Sequence, residues 1–116
     1  MLAKKNRLKK KTDFESVFKN GKSLKEGSVI LKYLFKGSKI SRFGVVVSKK
    51  IDKKTNVRNR IKRKISESIR LRLKNFKKGI DVIVITLPGI EKNDFKEIDN
   101  LLDKLFKKSS LYEFSG

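Results

Sequence analysis

Val57-Arg58-Asn59-Arg60-Ile61-Lys62-Arg63-Lys64-Ile65 sets five cations and one amide among three aliphatic residues. Val57, Ile61, Ile65 and Ile69 recur at every fourth position, the spacing that lines one face of an α-helix. On a helical wheel of about 100° per residue, Asn59, Lys62, Arg63, Ser66 and Arg70 fall on the opposite arc, with Arg58 and Arg60 on its flanks. Such a helix docks on a sheet by its apolar side and turns guanidinium forks and an amide outward. Phosphate-rich RNA or DNA matches a face of that kind. Strand-like stretches stand on either side of the helix, so it reads as a crossover between strands rather than part of a hairpin.

Outward from this helix the pattern is alternately β and α. Val29 to Phe35 is dense in β-branched and aromatic residues, and Phe43 to Val47 gives a shorter strand after the Gly37-Ser38 turn. Lys39-Ile40-Ser41 is a possible extra strand on the incoming edge. The basic helix begins near Thr55 or Asn56, both good capping types, and runs to about Asn75. Gly79 closes the next loop. Ile80-Asp-Val-Ile-Val-Ile-Thr-Leu87 is the clearest buried strand of the chain, closed by Pro88-Gly89. A last helix opens at Asn93 or Asp94 and carries Phe95, Ile98, Leu101, Leu102, Leu105 and Phe106 in one stripe. Upstream, Thr12 and Glu15 make a Thr-x-x-Glu capping pattern ahead of Phe14, Val17 and Phe18, which predicts a short helix near 13–20 ending at Gly21. Residues 1–11 hold six cations and read as an extended, flexible basic arm. With no linker or repeat, the 116 residues make one α+β domain, 1–116, of order α-β-β(-β)-α-β-α.

Thirty-two Lys and Arg against twelve Asp and Glu leave a formal net charge of +20. The excess sits in residues 1–90, with 27 basic and 6 acidic side chains; the remaining residues hold 5 and 6. Self-repulsion at this density destabilises the compact state, so a polyanionic partner is expected, nucleic acid ahead of an anionic membrane surface. No His and no Cys are present, which excludes an imidazole base, a thiolate nucleophile, a thiol–imidazole zinc site and a disulfide. That usage fits the cytoplasm. No apolar run approaches a membrane span, and the basic N-terminus lacks the apolar stretch of a secretory signal. Acidic residues are too scattered for an acid/base couple or a metal cage. The chain reads as a binder of nucleic acid and not as the group that breaks bonds.

Three blocks resemble the bacterial ribonuclease P protein subunit, in the right order and over nearly the full length. They are Asn6-Arg7-Leu8-Lys9-Lys10 leading into Asp13-Phe14 and Val17-Phe18-Lys19-Asn20-Gly21, then Arg42-Phe43-Gly44-Val45-Val46-Val47-Ser48-Lys49-Lys50, and, most specific, Arg58-Asn59-Arg60-Ile61-Lys62-Arg63. The resemblance implies a ribosomal-protein-like fold: a two-layer α/β sandwich on a four-stranded sheet, order α-β-β-β-α-β-α, with a left-handed β-α-β crossover that departs from the usual hand. It also implies the protein part of an endoribonuclease in which a catalytic RNA removes the 5′ leader of precursor tRNA. Arg58, Asn59, Arg60, Lys62 and Arg63 would contact the RNA subunit. Phe14, Phe18, Ser48, Lys49 and Lys50 would line a leader cleft between the first helix and the sheet, with Lys32 there to contact a leader phosphate. Arg7, Lys9 and Lys10 form the basic arm. Mg²⁺ would sit on the RNAs, not in a dedicated protein site, and no obligate protein partner is inferred.

Departures from the family pattern matter. Thr55 stands where Ala is usual, and Ser66 where a basic residue is more common. The first-strand aromatic that faces the cleft is replaced by Lys32, with Tyr33 beside it pointing to the other face. Spacing alone makes Phe14 and Phe18 core anchors; only the resemblance makes them stacking platforms for unpaired bases. For the basic helix the bland alternative is a solvated face, but it has almost no Glu-to-Lys pair at i, i+4 before Glu67. A structural RNA-binding protein of ribosomal type remains the second reading, since related domains occur in ribosomes. A non-specific DNA-compacting protein fits the charge but not the order of blocks.

Overall fold

The computed structural model describes residues 2–113; Met1 and 114–116, parts of the expected 1–116 domain, lie outside the described residues. The basic helix, α2 (Thr55–Leu71), buries Ile61, Ile65 and Ile69 and packs Val57 at the rim of the core. Its platform is a sheet of β1 (Lys22–Glu26), β2 (Val29–Phe35), β3 (Arg42–Val46) and β4 (Ile80–Thr86), in spatial order β1-β2-β4-β3. β2 pairs antiparallel with β1 and β4, whereas β3 and β4 run parallel. With α1 (Lys11–Asn20) and α3 (Phe95–Lys108) the chain order is the expected α-β-β-β-α-β-α. Parallel neighbours joined through α2 make the β-α-β crossover.

The two-residue period of the strands sorts side chains onto two faces. Val29, Leu31, Tyr33, Phe43, Ile80, Val82 and Val84 meet α2 and α3 in the main core, which makes the sandwich. On the opposite face Ile83 packs with Leu8 and with Val17 of α1, rimmed by Phe14, Leu34, Val46 and Ile85. α1 thus covers part of the sheet face that α2 and α3 leave free. Strand β4 is buried from Ile80 to Val84, aliphatic throughout but for Asp81.

Several local expectations change. Lys39-Ile40-Ser41 is a bend outside the sheet, and the extra strand is β1, Lys22-Ser-Leu-Lys-Glu26. With one apolar residue β1 carries little strand signal; its ladder to β2 and ion pairs from Lys104 and Lys108 to Glu26 hold it in place. Those two ammonium groups, Lys108 first, also hold the Glu26 carboxyl below its ordinary pKa. Helix α1 starts at Lys11 with no side-chain cap, so the Thr12–Glu15 box does not form. The chain is already turned in by the Leu8 N–H, which donates to the Phe43 carbonyl at 2.9 Å, and Thr12 is carried inside the first turn. Helix α2 likewise starts at Thr55, with Lys54 at the N-cap position and no side-chain cap, and it ends at Leu71, short of the expected Asn75, where Leu73–Asn75 form a separate 3-10 turn. By contrast α3 opens at Asp94, within the expected Asn93–Asp94 start, and there Asp94 and Glu97 form a full capping box.

Residues 2–8 also depart from the expected extended arm. Leu2, Asn6 and Leu8 are buried, a 3-10 turn spans Lys4–Asn6, and Arg7 bridges to Phe43 on the outer edge of β3. An edge strand offers unpaired backbone groups, and this segment satisfies part of that row.

Arg42, the first residue of β3, ties three elements together. Its Nε and Nη2 donate to the two oxygens of Asp81 on β4 at 3.0 and 2.7 Å, and its Nη1 donates to Asp13 of α1 at 3.0 Å. Asp81 is fully buried, so the fork is its charge partner, and it raises the Arg42 pKa despite partial burial. We expect Arg42→Met to lower stability by about 3 kcal/mol in urea denaturation, because a buried carboxylate loses its partner. Adding Asp81→Asn should recover a large part of that loss.

Candidate nucleic-acid interface

The outward arc of α2 is bare charge. Asn59, Arg60, Lys62 and Arg63 are exposed, and none of the three cations is in an ion pair among the described residues. Lower on the same helix Arg70 is paired with Glu67. Cations therefore concentrate, unneutralised, on the N-terminal half of α2, where they set up a positive potential that phosphates can enter without displacing a carboxylate. Ser66 is half-buried beside them.

Arg58, on the flank, is used differently. Its Nη1 donates to the Asp52 and Lys53 carbonyls at 3.1 and 2.9 Å, and its Nη2 reaches the Thr55 hydroxyl at 3.3 Å. The Lys54 N–H donates to the Asp52 carboxylate at 2.8 Å. These bonds hold the connection from β3 into α2, and with it the exposed Lys49, Lys50, Lys53 and Lys54. Arg58 thus positions a basic loop as well as offering its own charge. Lys53 and Lys54 were not singled out from sequence; two Lys-Lys pairs flanking Ile51-Asp52 were the available signal.

On the α1 side of the sheet the two phenylalanines part company. Phe14 is half-buried and lies over Gly44 so closely that a Cβ there would stand 2.6 Å from its ring. That contact explains the glycine in the middle of β3 and makes Phe14 part of the core. Phe18, one turn on, is 44% exposed. Lys32 of β2 stands on the same face with its Nζ 5.7 Å from the Phe18 ring centre, a cation–π geometry, while Tyr33 points into the main core. Ser48, Lys49 and Lys50 form an exposed turn past Val46, closed by the Ile51 N–H donating to the Ser48 carbonyl. No hydrogen bond or ring contact joins this turn to Phe14 or Phe18 among the described residues. What the fold assembles is Phe18 and Lys32 beside the partly open apolar strip of Leu34, Val46 and Ile85, with the lysine turn at the strand end.

The N-terminal cations divide in the same way. Arg7 donates from Nε to the Leu2 carbonyl at 2.8 Å and is half-buried, whereas Lys9 and Lys10 are exposed. Lys9, Phe14, Gly44, Lys62 and Ser66 border one depression of about 240 Å³ at the β3 edge. Three groups far apart in sequence (arm, first helix, basic helix) therefore face a common space. Among the described residues no group of three or more carboxylates, His or Cys is placed to hold a metal ion, and no helix is long and apolar enough to cross a membrane.

Comparisons with known proteins bear on the chain as a whole. The family model described as Ribonuclease P matches residues 2–110. The ribonuclease P protein component of Caldanaerobacter subterraneus subsp. tengcongensis is 39% identical over 113 residues, covering 97% of both chains. Among solved structures, the Staphylococcus aureus RNase P protein superposes with a TM-score of 0.85 at 28% identity, covering 93% of this chain and 98% of that one. The Thermotoga maritima RNase P protein gives 0.80 at 32% identity, with 88% and 96% covered.

The split between the phenylalanines is testable by urea denaturation. Phe14→Ala should cost about 2 kcal/mol, the loss expected for a half-buried aromatic, whereas Phe18→Ala should stay within about 0.5 kcal/mol of the parent.

Proposed function

The chain belongs to the ribonuclease P protein family, the protein component of the endoribonuclease that matures tRNA, and from that premise we propose how its residues divide the work. A catalytic RNA breaks the bond; this protein binds that RNA by the outward arc of α2 and holds the 5′ leader of precursor tRNA against the α1 side of the sheet. The observation that carries the first assignment is the run of exposed Arg60, Lys62 and Arg63 beside Asn59, without an ion pair among the described residues, on a helix whose opposite arc is buried. Guanidinium forks bind phosphate oxygens in pairs, and the Asn59 amide adds a donor and an acceptor for ribose or base edges. Arg58 holds the Lys49–Lys54 loop so that its lysines adjoin this face.

The leader assignment rests on Phe18 and Lys32. An exposed ring with an ammonium beside it stacks on an unpaired base and pairs with the phosphate next to it, whatever the sequence of the strand. Phe14 enters this role by setting the height of α1 over β3 rather than by stacking. Ser48, Lys49 and Lys50 extend the cationic track past the strand end. A ribosomal-type structural binder needs only a convex basic surface; the exposed Phe18 beside Lys32 favours the leader reading over it.

Mg²⁺ belongs, on this reading, to phosphate oxygens of the two RNAs. The protein lowers the requirement for it by screening the repulsion between them, in the cytoplasm where precursor tRNA is made. Lys and Arg side chains supply no oxygen ligands of the kind Mg²⁺ prefers.

Arg60→Ala should weaken binding of the catalytic RNA about tenfold and make the log–log salt dependence shallower by roughly 0.9, measured by titration at several salt concentrations. Unchanged affinity at moderate salt would remove the α2 assignment. Precursor cleavage at limiting Mg²⁺, with and without the protein, separates the two readings. Stimulation that falls away when the full leader is cut to a single nucleotide supports the leader cleft. Stimulation blind to leader length leaves only the RNA-subunit role, and none at all returns the chain to the ribosomal-type binder.

A further inference from the structure

At the end of the sheet away from Ser48–Lys50, three connections are knitted together. Asn6, in the N-terminal 3-10 turn, donates from its amide to the Ser41 carbonyl at 3.0 Å. The Ser41 hydroxyl donates to the Lys77 carbonyl at 2.7 Å, and the N–H groups of Lys36 and Gly37 donate to the Gly79 carbonyl at 2.7 and 3.2 Å. Gly79 has φ +74°, and a Cβ there would run into the Ser38 backbone, so this frame requires glycine. The loops are held as one rigid end and are not loose connections.

What that end presents is cationic and aromatic. Lys5, Lys36, Lys39, Lys74 and Lys78 are exposed. Phe35 is 51% and Ile40 43% exposed, two of the four large apolar side chains that the described residues leave open. The Lys77 Nζ lies 5.9 Å from the Phe35 ring centre. Two depressions, about 540 and 250 Å³, share Lys5 and Ile40. Glu113 borders the smaller, yet none of these lysines is in an ion pair among the described residues. The contrast with α3 is direct: there Lys104, Lys107 and Lys108 all lie against carboxylates.

Distance makes this surface separate from the α2 face. The seventeen residues of α2 span about 25 Å, with Arg60 in the first half, and the chain enters the knitted end only after the last turn. No single phosphate group reaches both.

We propose that this end of the sheet is a second RNA-binding surface, taking an unpaired segment with a base on the Phe35 ring and phosphates against Lys39, Lys74 and Lys78. A duplex hides its base faces and leaves an exposed ring unused; an unpaired strand engages ring and lysines together. The proposal rests on the chain being the RNA-binding subunit of a ribonucleoprotein, but not on the α2 assignment. The segment comes from the catalytic RNA or from precursor tRNA, which present the same chemistry.

The chain has no cysteine, so Ser38→Cys supplies one attachment point for an iron chelate that generates hydroxyl radicals. In the reconstituted complex of full chain, catalytic RNA and precursor tRNA, cuts in either RNA support the proposal and name the source. The absence of cuts in both overturns it. Affinity for the RNA so identified is then measured with Lys39→Ala/Lys78→Ala and with Phe35→Ala. The double variant should flatten the salt slope by about 1.4, and loss of the ring should weaken binding about fivefold. If Arg60→Ala weakens RNA binding while these variants do not, the second surface is refuted and the α2 face stands. If these variants weaken it and Arg60→Ala does not, only the α2 assignment falls. Parent-like RNA binding by all of them removes the RNA-binding reading itself, and leaves the patch to an acidic protein partner.

Discussion

One guanidinium, that of Arg42, fixes the relation between the first helix and the sheet. A carboxylate as deeply buried as Asp81 is tolerated only with a partner, and the two-pronged Arg42 fork on the neighbouring parallel strand is that partner. The remaining prong takes Asp13, so the same group that neutralises the central strand also anchors α1. With α1 pinned there, Phe14 falls over Gly44 and Val17 over Ile83, and Phe18 is left outward beside Lys32. The height of the proposed leader surface is therefore set by an internal ion triad and not by the residues that would touch RNA.

The few carboxylates are spent unevenly. Glu26 and Asp103 neutralise lysines of α3, and Asp99 accepts from Ser68 and Arg72, which latches α2 to α3. Burial raises the Tyr112 hydroxyl pKa first, and its hydrogen bond to Asp103 adds to that, so the phenol stays protonated at the end of this latch. Such pairs stiffen the side of the molecule with little net charge. Among the described residues the front half of α2, the Lys49–Lys54 loop and the Lys39–Lys78 end keep no such partners. Concentrated like charge disfavours the free protein and is relieved when phosphates arrive, so the distribution of a dozen acids decides where a polyanion docks.

Much of this was legible in the sequence because the signals were local. The i, i+4 stripe of α2, the aliphatic residues of β4, the opening of α3 near Asp94 and the ordered blocks of the family all depend on neighbours in the chain. Charge and composition alone pointed to nucleic acid and excluded thiol and imidazole chemistry. What local signals missed follows a pattern. Strand β1 is built from lysines around one leucine and exists because β2 offers it a ladder and α3 offers Glu26 its ammonium groups. The arm is docked because Leu2 and Leu8 find cover across the β3 edge, contacts more than thirty residues away in sequence.

The class of fold, the order of its elements and the identity of the basic helix were written in short windows of chain, where periodicity and composition reside. Only the tertiary structure decided which of two phenylalanines on one helix face is core and which is surface, that Arg58 is engaged with its own loop, and that Arg42 is the clamp. Each of these depends on what stands opposite a side chain once strands far apart in sequence lie side by side, and no periodicity within a single segment encodes that.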